Sequence, residues 1–504
     1  MGVSERPTES GRARRARPKE AAMTTPLARD LDRLRRVAEE GARPGRFAQR
    51  LHLMPPVGWL NDPNGLCQYH GAYHAFFQYA PFSADGSGVK MWGHSASRDL
   101  LSWDYLGVAV FPDQPFDVTG AYSGCALVEG DDMEVFYTGN VKLVDDGSHD
   151  YVTSGREANT VRAACADGVT LSRRHVVMRN ADYPADDTEH VRDPKVWRRG
   201  DSYLMVQGAR RADDVGEVLV FSSPDLERWR LVNRVTTERP FGYMWECPDY
   251  LELADPARPG GVARLLSVSP QGLSGGDWDR RNVYQSGFFE LAGDVASSCT
   301  LGDFALWDAG FDFYAPQTFL ADDGRRILVG WMGMPDEEGY VNPTVADGWQ
   351  HCLTLPREVT SEGGRVRQRP VRELRALRRN LREATGSLEA PLAGCCFDLE
   401  VDRPEGTGGR ACVTIADELS VRWEDGTLSM RFSDPTRGSV GAGRTLRYEP
   451  LASLSGLRLV GDASSVEVFA NDGGLCLSTR YYPRRYGVCV DAPGARVRLW
   501  DLAR

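Results

Sequence analysis

The sequence predicts an all-β chain, a five-bladed β-propeller followed by a C-terminal β-sandwich, on three observations. Fifty-three Gly, 29 Pro and 10% aromatic residues mark many short strands joined by tight turns. A pattern of polar residue, small residue, apolar strand, Gly or Asp turn and second apolar strand returns five times. It begins near Asp62, Ser123, Asp193, Glu246 and Pro316, at intervals of 61, 70, 53 and 70 residues. Each interval holds a four-stranded blade of ~40 to 50 residues plus a loop. Beyond residue 386 the texture changes to short alternating strands, the pattern of an antiparallel sandwich.

Taken in order, residues 1–45 read as a basic tail and one short helix. Arg12, Arg14, Arg15, Arg17 and Lys19 sit in the tail, and Met23 is a second candidate start. Thr25 and Pro26 form an N-cap and first helical position, Leu27, Leu31, Leu34 and Ala38 share one face, and Gly41 ends the helix. Residues 46–358 are the propeller, with paired strands at 66–69 and 73–77, 126–128 and 135–137, 196–197 and 203–206, 250–253 and 265–268, and 318–320 and 327–329. A finer echo links Ser97-Arg98-Asp99-Leu100-Leu101-Ser102-Trp103 to Ser223-Pro224-Asp225-Leu226-Glu227-Arg228-Trp229, 126 residues later. Residues 359–385 read as a linker whose Arg-rich stretch 371–380 is helical. The sandwich, 386–504, takes strands 396–401, 411–415, 428–432, 457–459, 466–469, 488–490 and 497–500. It holds no catalytic constellation.

The net charge of -11 excludes a nucleic-acid or anionic-membrane surface as the main role. No apolar run reaches the ~18 to 20 residues of a membrane span, and no secretory signal is readable. Eleven scattered cysteines without a CxxC pair suit free thiols in a cytoplasmic protein, and Cys395-Cys396 is structural. No metal site is expected, because the eight histidines form no HExxH or HxH pair; His94 satisfies hydrogen bonds of core or pocket. Gly272-Leu273-Ser274-Gly275-Gly276 matches a nucleophile elbow without its strand-to-helix context. Gly441-Ala442-Gly443-Arg444 lacks the ending of a phosphate loop, and no cofactor is called for.

The chemistry concentrates in carboxylates. Asn61-Asp62-Pro63-Asn64-Gly65, Arg192-Asp193-Pro194 and Glu246-Cys247-Pro248-Asp249 each pass singly for turns or solvated loops. Their shared place in the repeat argues otherwise. Equivalent positions at the starts of innermost strands converge on one end of a propeller channel, and like charges gathered there cost stability unless they serve a function. Paired carboxylates, one ionised and one protonated, are what glycoside chemistry needs. Trp59, Trp92, Trp245 and Trp331 lie beside these segments, and one or two of them suit sugar stacking.

Trp59-Leu60-Asn61-Asp62-Pro63-Asn64-Gly65, Val191-Arg192-Asp193-Pro194 and Trp245-Glu246-Cys247-Pro248-Asp249 resemble the three signature motifs of glycoside hydrolase family 32, the β-fructofuranosidases. Phe77-Gln78-Tyr79-Ala80-Pro81, Trp92-Gly93-His94, Tyr122-Ser123-Gly124 and Asp312-Phe313-Tyr314-Ala315-Pro316-Gln317 are similar to its secondary motifs. Ser464-Ser465-Val466-Glu467-Val468-Phe469 is similar to its sandwich domain. Leu60 and Val191 stand where the family commonly has Met and Phe.

The resemblance implies Asp62 as nucleophile, Glu246 as general acid and base and Asp193 as transition-state stabiliser. Asn61, Gln78, Trp92, Ser123 and Arg192 would line the fructosyl pocket. It implies a retaining mechanism, with Glu246 raised in pKa by the two aspartates and a carboxyl gap between Asp62 and Glu246 of ~5 to 5.5 Å. The implied partner is a small-molecule sugar: sucrose, sucrose 6-phosphate or a short fructo-oligosaccharide, with no nucleic acid and no membrane. Oligomeric state stays open. A fructosyltransferase using the same intermediate and a non-catalytic sugar-binding propeller are the alternatives. For a phosphorylated sugar, Arg156, His190 or Lys195 would supply the cation. The stretch 150–159 resembles one in intracellular bacterial sucrose and sucrose 6-phosphate hydrolases.

Overall fold

The computed structural model describes residues 25–144, 146–273, 282–337, 339–404, 409–434 and 444–503. The basic tail 1–22 with Met23, most of the Gly272–Gly276 stretch and Gly441 to Gly443 lie outside them. Five sheets follow one another along the chain, four of them of four antiparallel strands and the first with a fifth strand paired in parallel, and a ten-stranded sheet system completes the C-terminal part. The fold is the expected one, a five-bladed propeller and a sandwich.

Each blade starts at the channel with its innermost strand: Gly58–Tyr69, Gly120–Glu129, Asp187–Arg199, Met244–Ala254 and Tyr314–Leu320. All five carry the same irregularity near their start. Asn61 and Asp62 lie opposite one residue of the neighbouring strand, and so do Tyr122 and Ser123, Asp193 and Pro194, Cys247 and Pro248, and Ala315 and Pro316. These are β-bulges, which bend a strand and re-aim its side chains. Proline is tolerated at three of them because the bulged residue is released from the ladder. Asp193, Cys247 and Ala315 also take positive φ angles of 62°, 47° and 47°.

The bulges correct one expectation. The three carboxylates do not share a register position: Glu246 precedes its bulge, Asp193 is first in its bulge and Asp62 second. They meet because the blades converge.

The 126-residue echo is a repeated turn. Asp99 accepts from the backbone N–H groups of Leu101 and Ser102, and Asp225 accepts from those of Glu227 and Arg228. Leu100 and Leu226 both adopt positive φ there, 63° and 65°. The ring closes where Trp349–Gln350 pairs in parallel with Gly58 and Trp59.

Thr25 caps the helix Pro26–Glu40 as expected, its hydroxyl accepting from the Ala28 N–H. The expected apolar face is buried only in part, Leu31 packing with Ala28 against Met91 and Phe111. Leu27 and Leu34 are exposed, whereas Ala28, Asp32 and Arg35 are buried. Arg35 binds Asp32 and Glu39, and Glu39 in turn accepts from the hydroxyls of Tyr79 and Tyr105 on the first blade, so the helix docks through a satisfied ionic face.

The expected boundary at 358/359 falls inside the fifth blade, whose outer strands are Arg357–Glu362 and Arg365–Pro370. The rest of the expected linker is a short 3-10 turn, Arg372–Leu377, and most of the strand Arg378–Pro391. That strand runs antiparallel to the last one, Gly487–Leu502. The last strand pairs with Ala411–Ile415 through residues 488–491 and with Phe397–Asp402 through residues 496–501, so one continuous strand passes between the two groups of strands. Leu399, Val413, Val421, Val468 and Leu499 are among the fully buried residues of the core between them. Strands Leu419–Glu424, Thr427–Phe432, Leu446–Pro450, Gly456–Asp462, Ser465–Ala470 and Leu475–Arg480 complete the ten-stranded sheet system.

A buried ionic network joins sandwich to propeller. Arg357 donates to Glu467 at 2.6 and 2.9 Å and to Asp308 at 3.1 Å, and His52 bridges Glu467 and Asp462. Against burial, which lowers it, the two carboxylates raise the His52 pKa. Cys395, Cys396 and Asp462 form the one cluster among the described residues with metal-ligand spacing, and it belongs to this network through Asp462. All eleven cysteines are free. Among the described residues no helix is long and apolar enough to cross a membrane.

Candidate active site

The site end of the channel opens into a cleft of about 680 Å³. Asp62, Asp193 and Glu246 all line it, together with Asn61, Gln78, Ser123 and Arg192.

Asp62 sits at the second bulge position of the first blade, which turns its carboxylate toward the second blade. Ser123 donates to its Oδ2 at 2.6 Å, and Gln78 donates to the Ser123 hydroxyl at 3.1 Å. Asn61 donates to Oδ1 at 3.1 Å and is itself fixed by the indole N–H of Trp59. Burial raises the Asp62 pKa, the Ser123 hydrogen bond lowers it and the charge of Glu246 raises it.

Asp193 is almost fully buried. Its Oδ2 accepts from the Cys247 N–H at 2.9 Å, and burial pushes its pKa up to about 7, with Arg192 opposing and Glu246 and Asp62 adding. The Cys247 thiol lies 3.7 Å from Asp62 and 3.6 Å from Asp193. Burial and the surrounding carboxylates hold that thiol protonated, so it bridges the two as a weak donor.

Glu246 is the most heavily bonded of the three. Arg192 donates to Oε1 at 2.7 and 3.2 Å, while Gln271 and Tyr314 each donate to Oε2 at 2.7 Å. Two carboxylates inside the ring and one bonded by a guanidinium make a site in which protons and charge are finely balanced. Such a site can attack an electrophilic carbon from one carboxylate and hand a proton to a leaving oxygen from another.

Half of this was legible as motif and half was not. Trp92 is the site residue that the structure removes: it is fully buried in the core between the first two blades and absent from the cleft, its indole N–H donating to the Tyr122 carbonyl. Trp245 is core as well, whereas Trp59 and Trp331 line the cleft. His94 is core, stacked on Phe76 and bonded to His74. Lys195 is not at the site either. It points into the channel interior, donates to the Thr318 carbonyl and pairs with Asp249 at 3.3 Å. Tyr243 just before the fourth blade, Gln271 at the end of its second strand and Tyr284 between its second and third strands line the cleft, and no spacing in the sequence announces them.

Residues 52–370 match the model of the glycosyl hydrolases family 32 N-terminal domain, and residues 388–497 match the family's C-terminal domain. The chain belongs to glycosyl hydrolase family 32. As a member of that family it is a glycosidase, and the cleft is where its carboxylates converge. The family member is 37% identical to a sucrose-6-phosphate hydrolase of Bacillus subtilis over 90% of this chain and 94% of the relative. It is 38% identical to a raffinose invertase of Escherichia coli, over 86% and 89% of the two chains. Among solved structures, a sucrose-6-phosphate hydrolase from Lactobacillus gasseri superposes with a TM-score of 0.83 at 26% identity, covering 94% of this chain and 96% of the other. A β-fructofuranosidase of Bombyx mori gives 0.79 at 28%, covering 94% and 98%.

The Ser123 contact makes the pH dependence of this family 32 enzyme testable. The Ser123 hydroxyl favours the ionised form of Asp62, so Ser123→Ala raises the Asp62 pKa and protonates it sooner as pH falls. The acid limb of kcat/KM moves to higher pH, with a loss of roughly tenfold at mildly acid pH from one hydrogen bond to a charged group. A pH profile superimposable on wild type would remove Ser123 from this role.

Proposed function

We infer that this glycosidase is a retaining β-fructofuranosidase releasing the terminal β-D-fructofuranosyl residue of sucrose and sucrose 6-phosphate. The observation that carries the reading is the meeting of Asp62, Asp193 and Glu246 in one cleft from three separate blades. Its support from relatives is their names, a sucrose-6-phosphate hydrolase and a raffinose invertase.

In this reading Asp62 attacks the anomeric carbon of the fructosyl unit, and Glu246 gives a proton to the departing glycosidic oxygen. A covalent fructosyl-enzyme results. Glu246, now ionised, takes a proton from water, which displaces Asp62 and restores the β configuration. The Tyr314 hydroxyl can donate to the ionised Glu246 or accept from the protonated one, so its contact suits both halves of the cycle. Asp193, held by the Cys247 N–H, accepts fructose hydroxyls, and Asn61, Gln78, Ser123 and Arg192 keep the carboxylates in place. The reading places the enzyme in the cytoplasm, supported by its free cysteines.

Incubation with sucrose in the presence of methanol tests this. Free fructose together with methyl β-D-fructofuranoside is expected. Methyl α-D-fructofuranoside would overturn retention, absence of fructose release would overturn the hydrolase, and fructo-oligosaccharides in place of free fructose would mark a transferase.

A further inference from the structure

The cleft is electrostatically lopsided. Its lip beside the first and fifth blades carries Asp85 and Asp336 with one lysine, Lys90, whose ammonium donates to the Gly86 carbonyl and rests 5.1 Å over the Trp59 ring, while the wall from the second and third blades carries Lys142, Arg156 and Arg210. These cations are not equivalent. Arg210 is committed, with Nε and Nη2 donating to Asp214 at 2.9 and 2.6 Å. Lys142 and Arg156 are direct partners across neighbouring strands, and among the described residues no carboxylate lies within ion-pair distance of either head group. Arg156 is nonetheless held: Nε donates to the Tyr151 carbonyl at 3.0 Å and Nη1 to Asn140 Oδ1 at 3.1 Å. The Lys142 ammonium rests 5.3 Å over the Tyr151 ring. Glu189, whose carboxylate accepts from the Arg156 backbone N–H, answers the Arg156 charge only from a distance. The two adjacent like charges repel each other, and a dianionic ligand removes that repulsion.

Their place relative to the chemistry follows from a short chain of contacts. Glu246 binds Arg192 at 2.7 Å, Arg192 binds His190 Nδ1 at 3.0 Å, and His190 and Arg156 both bond the Tyr151 carbonyl. The general acid of the proposed mechanism stands beside the glycosidic oxygen, so the leaving sugar extends over this wall. His190 is not a third cation there. Burial, Arg192 and Arg156 push its pKa down to about 3, leaving a neutral ring that positions Arg192.

Building on the β-fructofuranosidase reading, we propose that Lys142 and Arg156 bind the 6-phosphate of the departing glucosyl ring and set the preference for sucrose 6-phosphate over sucrose. The phosphate carries about -1.5 to -2 near neutral pH, matching the two cations. Arg156 offers the fork geometry that suits phosphate oxygens and Lys142 a mobile point charge. On the opposite lip Asp85 and Asp336 disfavour a phosphate and Lys90 is already held by the Gly86 carbonyl, which favours one orientation of the leaving group.

The test compares kcat/KM for sucrose 6-phosphate and for sucrose in wild type, Lys142→Ala, Arg156→Gln and Arg156→Lys. Wild type is expected to prefer the phosphorylated substrate by on the order of a hundredfold, from two charge-assisted contacts. Lys142→Ala and Arg156→Gln each lower kcat/KM for sucrose 6-phosphate by about tenfold or more and lower that for sucrose distinctly less. Arg156→Lys keeps part of the preference, and 1 M salt, with a Debye length of about 3 Å, erodes it. Lys142 is exposed, so its variant keeps the test independent of any packing loss at Arg156. Equal losses on both substrates, or a wild-type ratio near one with fructose still released from sucrose, would overturn the phosphate site alone. No fructose from either substrate would overturn the enzyme reading beneath it.

Discussion

Asp62→Asn lowers kcat on sucrose by on the order of 10⁴-fold or more, the loss that follows when an enzyme is deprived of its nucleophile. The amide keeps the volume and the Ser123 contact but cannot form the ester bond to the anomeric carbon. The same substitution has a second expected effect of opposite sign. Burial raises the folded-state pKa of Asp62, so the fold holds this proton more tightly than the unfolded chain does. Above the folded-state pKa the carboxylate therefore costs stability. Asparagine removes that cost, and the variant melts at higher temperature than wild type at neutral pH, with the gap closing as pH is lowered. Turnover assays and thermal melts at two pH values check both halves. Wild-type activity in the variant would rule out Asp62 as nucleophile.

Glu246→Gln lowers kcat on sucrose by roughly 10²- to 10⁴-fold, the span of general acid–base catalysis. Its signature is the dependence on leaving group. β-D-Fructofuranosyl fluoride departs without a proton, so its first displacement is expected to lose far less than that of sucrose. Azide, a nucleophile that needs no general base, is expected to restore turnover of the trapped fructosyl-enzyme. The glutamine keeps an oxygen for Arg192, while its amide meets the amide donor of Gln271 where a carboxylate oxygen stood. The Tyr314 hydroxyl can rotate to accept, which limits the disturbance. Equal losses for fluoride and sucrose, without azide rescue, would exclude Glu246 as acid and base.

The sequence carried the blades and the carboxylates because both are repeated. Asp62, Asp193 and Glu246 recur at blade intervals beside turn residues, and Asn61, Ser123 and Arg192 adjoin them or hold the matching place. Trp92 misled for a physical reason. A tryptophan near a motif is equally suited to a binding cleft and to the gap between two blades, and only packing against Phe76 and Tyr137 selects the second. Gln271 reaches Glu246 across the strand pairing of the fourth blade and Tyr314 reaches it from the neighbouring fifth blade, so the bonds they make to it follow from strand register and blade packing, which no motif spells out. The outer strands of the fifth blade, rich in Arg and Glu, resemble a linker because much of their pairing is ionic, Glu362 with Arg367 and Arg369 and Arg369 with Asp472, in place of an apolar alternation. The helix face was legible in part: Leu31 packs against Met91 and Phe111, whereas Leu27 and Leu34 stay exposed because tyrosine hydroxyls on the first blade receive an ionic face of the helix.

The five bulges explain why a ring built from similar blades does not make a symmetric site. Each offers the same backbone socket, yet the acidic groups are seated one step before, in the first and in the second place of three different sockets. With ~3.3 Å of rise per residue, the three anchor points stand at unequal heights around the channel. A tripod with unequal legs has no mirror plane. A furanose ring entering from the cleft mouth therefore meets the three acidic groups at three depths, in one order on one face and in the reverse order on the other.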